Sequence, residues 1–248
     1  MSAFDLYSEY YDLLYRDKDY RGEADYVVSL IEQFHPSAKT LLELGCGTGK
    51  HAALFEAAGY APEGIDMSET MLEQARAQYP GLRFHQGDAR STRLTRSFDV
   101  VTSLFHVASY QTSNEDLAAY FATAKAHMAP GGIFIFDFWY GPGVLSDPPC
   151  VRVKRLEDES LQILRIAEPS LYPERNVVNV HYQVLARRRD RSEYQEIAED
   201  HAMRYLFAPE LEAALAVQGL RILALRDWMS QTAPTAKSWT ACIVAGEL

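Results

Sequence analysis

Cysteine is scarce in this chain of 248 residues. Cys46, Cys150 and Cys242 are too few and too scattered for a disulfide framework or a four-ligand zinc site. The C-x-x-C, H-E-x-x-H and paired-acid patterns that hold catalytic metals are missing too, so chemistry without a metal is expected. No uninterrupted apolar run approaches the roughly 20 residues that a membrane helix needs. The opening Met1-Ser2-Ala3-Phe4-Asp5 lacks the basic start and apolar core of a signal peptide. Positive charge is in deficit: 24 Lys and Arg against 34 Asp and Glu leave a net charge of −10. Affinity for phosphate backbones rests on Lys and Arg, so nucleic acid is not an expected partner. With 48% apolar and 23% charged residues, the chain is expected to be a soluble, cytoplasmic globular protein with room for a sizeable core.

Apolar residues at helical spacing (Ala24, Val27, Val28, Ile31, Phe34) predict a helix from Glu23 to Phe34, closed by Pro36. From Lys39 strand and helix patterns take turns. Strands are expected at Thr40–Leu44, up to Asp66, at Leu82–His85, at Phe98–Leu104 and at Ile133–Asp137. Ser68 suits a helix N-cap and Asn114 can cap a helix reaching Met128, while Pro130-Gly131-Gly132 reads as a turn. Such alternation implies βαβ units and a mostly parallel sheet. From Val151 to Leu206 strand-like stretches replace it, which reads as an inserted antiparallel meander covering the site. A helix from Pro209 to Val217 and strands at Leu220–Asp227 and Trp239–Ala245 close the chain.

The sharpest local signal is Gly45-Cys46-Gly47-Thr48-Gly49-Lys50, between a strand and a helix. Glycines there permit a sharp turn and let a ligand lie against the backbone. A dinucleotide fingerprint needs glycine where Lys50 stands, and a phosphate-binding P-loop needs it at Leu44 and a hydroxyl residue at His51. Both readings fail on positions that matter mechanically. Taken alone, a glycine-rich turn is often only a tight turn, and a single acid at a strand end is usually a cap or solvated.

The G-x-G-x-G spacing resembles the first motif of class I S-adenosylmethionine (SAM)-dependent methyltransferases, and the resemblance covers about Thr40 to Phe138. It implies an α/β, Rossmann-like, doubly wound, seven-stranded and mostly parallel sheet, with the antiparallel β lid inserted between strand five and the last helix. The implied division is a helical cap over 1–38, a core of 39–150 and 207–248, and a lid of 151–206. The cofactor would be SAM, leaving as S-adenosylhomocysteine. Gly45, Cys46, Gly47, Gly49 and Leu104 would line it, Asp66 would take both ribose hydroxyls, Met67 would lie on adenine, and Asp88 with Ala89 would read the adenine edge. The tyrosine-rich start and the insertion resemble a small-molecule subgroup that includes the N,N-dimethyltransferases of nucleotide-linked amino sugars. That resemblance adds Tyr11 and Tyr20 near the methionyl end, and Tyr15, Glu23 and His181 on the substrate side.

Methyl transfer is an in-line displacement, so a base is needed where the nucleophile arrives protonated. His106 carries an imidazole, the side-chain type suited to a base or orienting acceptor, and leaves the fourth strand beside the expected methyl, with Tyr110 four residues on; these are the candidate catalytic groups. A satisfied structural histidine is the alternative. Asp137-Phe138-Trp139-Tyr140 supplies a carboxylate and aromatic walls, with Trp139 and Tyr140 as substrate contacts, although aromatic clusters are usually core. The subgroup has a Glu-Pro-Trp-Trp-type stretch there and a small hydroxyl residue where His106 stands. The expected activity is methylation of a small-molecule amine, including an amino sugar, by a monomer or homodimer. An O-methyltransferase and a non-catalytic SAM-binding protein are the alternatives.

Overall fold

The computed structural model describes residues 13–16 and 18–248; Tyr11 lies outside them. The described residues divide into two units, one of 13–16, 18–19 and 148–203, the other of 20–147 and 204–248.

The larger unit is built on a seven-stranded sheet in the order β10-β11-β5-β4-β1-β2-β3. Its strands are β1 (Thr40–Leu44), β2 (Ala61–Asp66), β3 (Arg83–Gln86), β4 (Phe98–Ser103), β5 (Met128–Trp139), β10 (Leu220–Asp227) and β11 (Thr240–Glu247). Neighbours from β5 to β3 run parallel, and β11 is antiparallel to both β5 and β10. The chain order reverses where β1 and β4 meet, the place at which open α/β sheets bind ligands. The central strands read as apolar runs because helices cover both faces. Leu42, Leu44, Val101, Phe134 and Phe136 pack with Leu117, Tyr120, Phe121, Leu211 and Leu215 on one side. Alternation sends Leu41, Val100, Ile133 and Ile135 to the other side, against Val27, Leu30, Ile31 and Phe55. Helix α1 (Tyr20–Phe34) therefore belongs to this unit, where it buries its stripe.

Three local differences from the sequence reading have physical reasons. Pro130-Gly131-Gly132 lies within β5: Phe98 pairs with Met128 and Val100 with Ile133, so the intervening residues bulge, with Gly131 at φ 75. The helix α4 (Asn114–His127) is capped by Ser113, whose hydroxyl accepts from the Asp116 N–H at 3.0 Å. A short helix α5 (Gly141–Ser146) follows β5, with a proline in its first turn. Helices α2 (Lys50–Ala57), α3 (Glu69–Gln78) and α6 (Ala208–Val217) complete the unit, and Ser68 caps α3 by accepting from Met71 N–H. Among the described residues no helix is long and apolar enough to cross a membrane.

The smaller unit carries a four-stranded sheet of β6 (Arg152–Glu157), β7 (Leu161–Tyr172), β8 (Val177–Arg188) and β9 (Gln195–Arg204). Leu161, Ile163, Val184 and Ala186 share one face with Leu13 and Leu14.

Asp99, at the start of β4, fastens the entry to β1. Its carboxylate accepts from Lys39 N–H at 2.8 Å and from the Thr40 N–H and hydroxyl at 2.9 Å each. Burial works against its charge, yet these donors hold its pKa below the usual 3.8. Asp99→Ala is expected to cost about 1–3 kcal/mol in urea unfolding at pH 7, because the donors lose their acceptor. A group with a depressed folded pKa stabilises above its unfolded value, so the margin should vanish as pH falls below about 3.8.

Candidate active site

The chain reverses between Leu44 and Lys50 by placing Gly45, Gly47 and Gly49 at φ of 79, 53 and 77. A Cβ at Gly45 would stand 2.5 Å from Val107 Cγ2, and one at Gly49 would stand 2.6 Å from Phe84 Cζ. Side chains already fill those two faces. At Gly47 the nearest atom is Met71 Sδ at 3.7 Å, so the room for a ligand along the backbone is at Gly47. The Cys46 side chain is buried against Gly64, and burial pushes its thiol well up. Any contact Cys46 offers a ligand is therefore through its backbone. Asp66, at the carboxyl end of β2, accepts from Gly47 N–H and Ser68 N–H at 2.8 Å each, joining the glycine turn to the head of α3.

Beneath this turn lies a group of which the sequence reading named only Glu23, and on the substrate side. Glu43 points to the same face of β1 as Leu41, toward α1 and α2, and there meets His51 and Glu23. His51 Nε2 is 2.9 Å from Glu23 Oε2 and Nδ1 is 3.4 Å from Glu43 Oε1. All three are buried, and the Tyr20 ring packs on the imidazole with 5.1 Å between centroids. Burial opposes charge on His51, but the two carboxylates outweigh it and raise its pKa to about 9. Burial raises the Glu43 pKa, and its Oε2 has no hydrogen-bond partner among the described residues. The available signal was an acid inside the apolar run Thr40-Leu41-Leu42-Glu43-Leu44, because buried charges are expected to be paired.

The other expected residues are placed as follows. Met67 is exposed at 63%, while Ala89 packs against the core and Leu104 is buried in it. Asp88 is clamped by Arg90, which donates from Nε and Nη2, holds its pKa down, and itself reaches Asp116 at 2.7 Å. At the end of β4, Phe105 and His106 both take left-handed φ, 67 and 66. His106 N–H donates to Asp137 Oδ1 at 3.0 Å, and its Nδ1 lies 2.7 Å from Asp137 Oδ2. Tyr110 is exposed at the end of the same turn. Trp139 donates its N–H to Ser109 Oγ and packs on Trp239; Tyr140 packs on Phe138. In the smaller unit, Tyr15 is raised in pKa by burial beside Arg165, and His181 pairs with Asp200 at 3.2 Å.

A methyltransferase-domain family matches residues 41–132. The dTDP-3-amino-3,4,6-trideoxy-alpha-D-glucopyranose N,N-dimethyltransferase of Streptomyces venezuelae is 30% identical over 218 residues, 87% of this chain and 90% of that protein. The chain belongs to the SAM-dependent methyltransferases. The dTDP-3-amino-3,6-dideoxy-alpha-D-glucopyranose N,N-dimethyltransferase of Streptomyces fradiae is 29% identical over 87% of the chain and 84% of its own length. The crystal structure of Streptomyces venezuelae DesVI aligns over 100% of this chain and 99% of that one, with TM-score 0.82 and 26% identity.

The residues of this methyltransferase fit its cofactor. SAM supplies a methyl group on a positively charged sulfur, and its methionyl end carries an ammonium. A fully buried carboxylate oxygen without a donor among the described residues, Glu43 Oε2, suits such a cation, and the open face of Gly47 beside Asp66 suits the nucleoside. Folding raises the His51 pKa above 6.5, so its stabilisation is complete below that value and is lost as pH climbs through about 9. Urea unfolding of the unligated methyltransferase is expected to lose on the order of 2–3 kcal/mol across this window, and His51→Gln should flatten the loss.

Proposed function

We propose that this methyltransferase transfers methyl groups from SAM to the amine nitrogen of a small-molecule acceptor, in the class of nucleotide-linked amino sugars. The observation that carries the reading is the near full-length similarity to enzymes named as N,N-dimethyltransferases of dTDP-amino sugars. It is supported by the way the glycine turn, Asp66 and the buried Glu43 surround one strand-end region, while the end of β4 offers proton-accepting and donating groups in His106 and Tyr110. Gly45, Cys46, Gly47 and Gly49 hold the methionyl and ribose portions through their backbone, with Asp66 on the ribose hydroxyls. Met67, Asp88, Ala89 and Leu104 border the adenine and the methyl, and Tyr20 the methionyl end. Trp139 and Tyr140 contact the acceptor. The protein works in the cytoplasm as a monomer or homodimer on a diffusible acceptor.

Calorimetric titration with S-adenosylhomocysteine should give saturable binding. Asp66→Ala should weaken it by about 1.5–3 kcal/mol, the worth of hydrogen bonds to a charged group. Incubation with SAM and dTDP-3-amino-3,6-dideoxyglucose should yield mono- and dimethylated product by mass spectrometry. Absence of cofactor binding would overturn the enzymatic reading, and binding without transfer to any amino sugar would overturn the acceptor class.

A further inference from the structure

Strand alternation in the smaller unit sorts its charges by face. Leu161, Ile163, Arg165 and Ala167 of β7 point one way, and the register sets Lys154 of β6 and Val184 of β8 beside Arg165. One end of this face is apolar, where Leu161, Ile163, Val184 and Ala186 pack with Leu13 and Leu14. Beyond Ile163 it turns cationic. Lys154 stands opposite Arg165, and Arg152 follows on the next rung of the same face, opposite Ala167. The acids Glu157 and Glu168 of these strands point to the other face, where Asp200 and Glu196 bond Asn179 and Gln183. Glu199, which shares the cationic face, is paired with His201 at 3.2 Å. The chain as a whole carries a net charge of −10, so three cations gathered on one face of a small sheet stand against its overall sign.

Neutral groups hold these cations in place. The Arg165 guanidinium lies over the Tyr182 ring, 4.5 Å from its centroid, and donates a hydrogen bond to the Tyr15 hydroxyl. Tyr182 in turn meets His201 edge-on at 5.2 Å. Lys154 Nζ donates to the Leu14 carbonyl at 3.2 Å. Rings, a hydroxyl and a carbonyl fix a positive group without neutralising it. The ion pairs of this unit join His181 to Asp200, Arg189 to Glu157 and His201 to Glu199; among the described residues Arg152 and Arg165 are in none of them. A guanidinium stacked on a ring keeps the edge of its planar fork for acceptors lying in its own plane, and that fork matches the paired oxygens of a phosphate. Arg152 and Lys154 are exposed. Like charges brought together repel, a cost that a bound polyanion reverses.

We propose that Arg165, with Lys154 and Arg152, binds the diphosphate of a nucleotide-linked acceptor on this face of the smaller unit's sheet. This rests on the amino-sugar reading above and names where the nucleotide is held. Arg165 donates to one phosphate from the edge of its fork. Lys154 and Arg152, two residues apart along β6 and so about 7 Å apart at Cα, reach both phosphates of one diphosphate with long side chains. Tyr15, expected on the substrate side, stands at this patch. His181, expected there too, lies on the opposite face with Asp200 and takes no part in it.

Calorimetric titration of the full chain with dTDP, without SAM, reads the patch apart from methyl transfer. The wild type should bind dTDP saturably, with an affinity that falls as salt is added, and should bind thymidine at least about tenfold more weakly. Arg165→Gln should weaken dTDP binding at least about tenfold, the worth of a hydrogen bond to a charged group. Arg165 also supports Tyr15, so Arg152→Gln, an exposed change, gives a second reading and should cost about threefold. Arg155→Gln removes the same charge from the opposite face of β6 and should leave the dTDP Kd within about twofold. S-adenosylhomocysteine affinity within about twofold of wild type identifies the variants that are folded. With dTDP-3-amino-3,6-dideoxyglucose and SAM, the acceptor KM of Arg165→Gln and Arg152→Gln should rise in step with their dTDP Kd. A wild type that binds dTDP while both patch variants bind it equally well overturns the site and leaves the acceptor class standing. An equal loss in Arg155→Gln reads as overall charge and overturns the site as well. A wild type that binds no dTDP overturns the site together with the nucleotide-linked acceptor.

Discussion

Two carboxylates and an imidazole from three separate elements share one buried space beneath the glycine turn, and the arrangement of the site depends on that sharing. Glu23 comes from α1, Glu43 from β1 and His51 from α2. Charges taken out of water are tolerated when paired, so the trio fixes how α1 lies over the sheet as well as where the turn begins. One oxygen of Glu43 is without a donor among the described residues. Asp66 does the complementary task from the next strand, holding Gly47 N–H so that the open stretch of backbone faces the place where the strand order reverses.

On the same face of the sheet, an acid of β5 is used differently. Asp137, itself buried, accepts the backbone N–H of His106 in a loop whose left-handed residues are strained. Two imidazoles with equal pKa in a peptide become a fixed charge and a backbone bracket because their neighbours differ.

Much of the frame was readable in advance. Thr40–Leu44 and Leu220–Asp227 stand where their apolar runs placed them, and Ser68 caps its helix. Short-range chemistry set the limits elsewhere. Ser113 rather than Asn114 caps α4, since the hydroxyl one residue earlier reaches the Asp116 N–H. The Pro130-Gly131-Gly132 turn signal was real but was absorbed as a bulge, because pairing with β4 resumes at Ile133. In the glycine turn, spacing marked the motif and could not tell Gly45 and Gly49, closed by Val107 and Phe84, from the open Gly47.

Period, punctuation and composition are local properties. The sequence by itself therefore determined the parallel α/β core, the antiparallel character of 151–206 and the strand ends that bear Asp66, Asp88 and His106. Tertiary structure alone decided which charges meet. Glu23 and His51 are 28 positions apart and His106 and Asp137 are 31 apart, distances over which no periodicity links one side chain to another. Only the packing of α1 on β1 and of β4 beside β5 closes those gaps to hydrogen-bond range, and at that range the identity of the partner, more than that of the residue, sets what each acid and imidazole does.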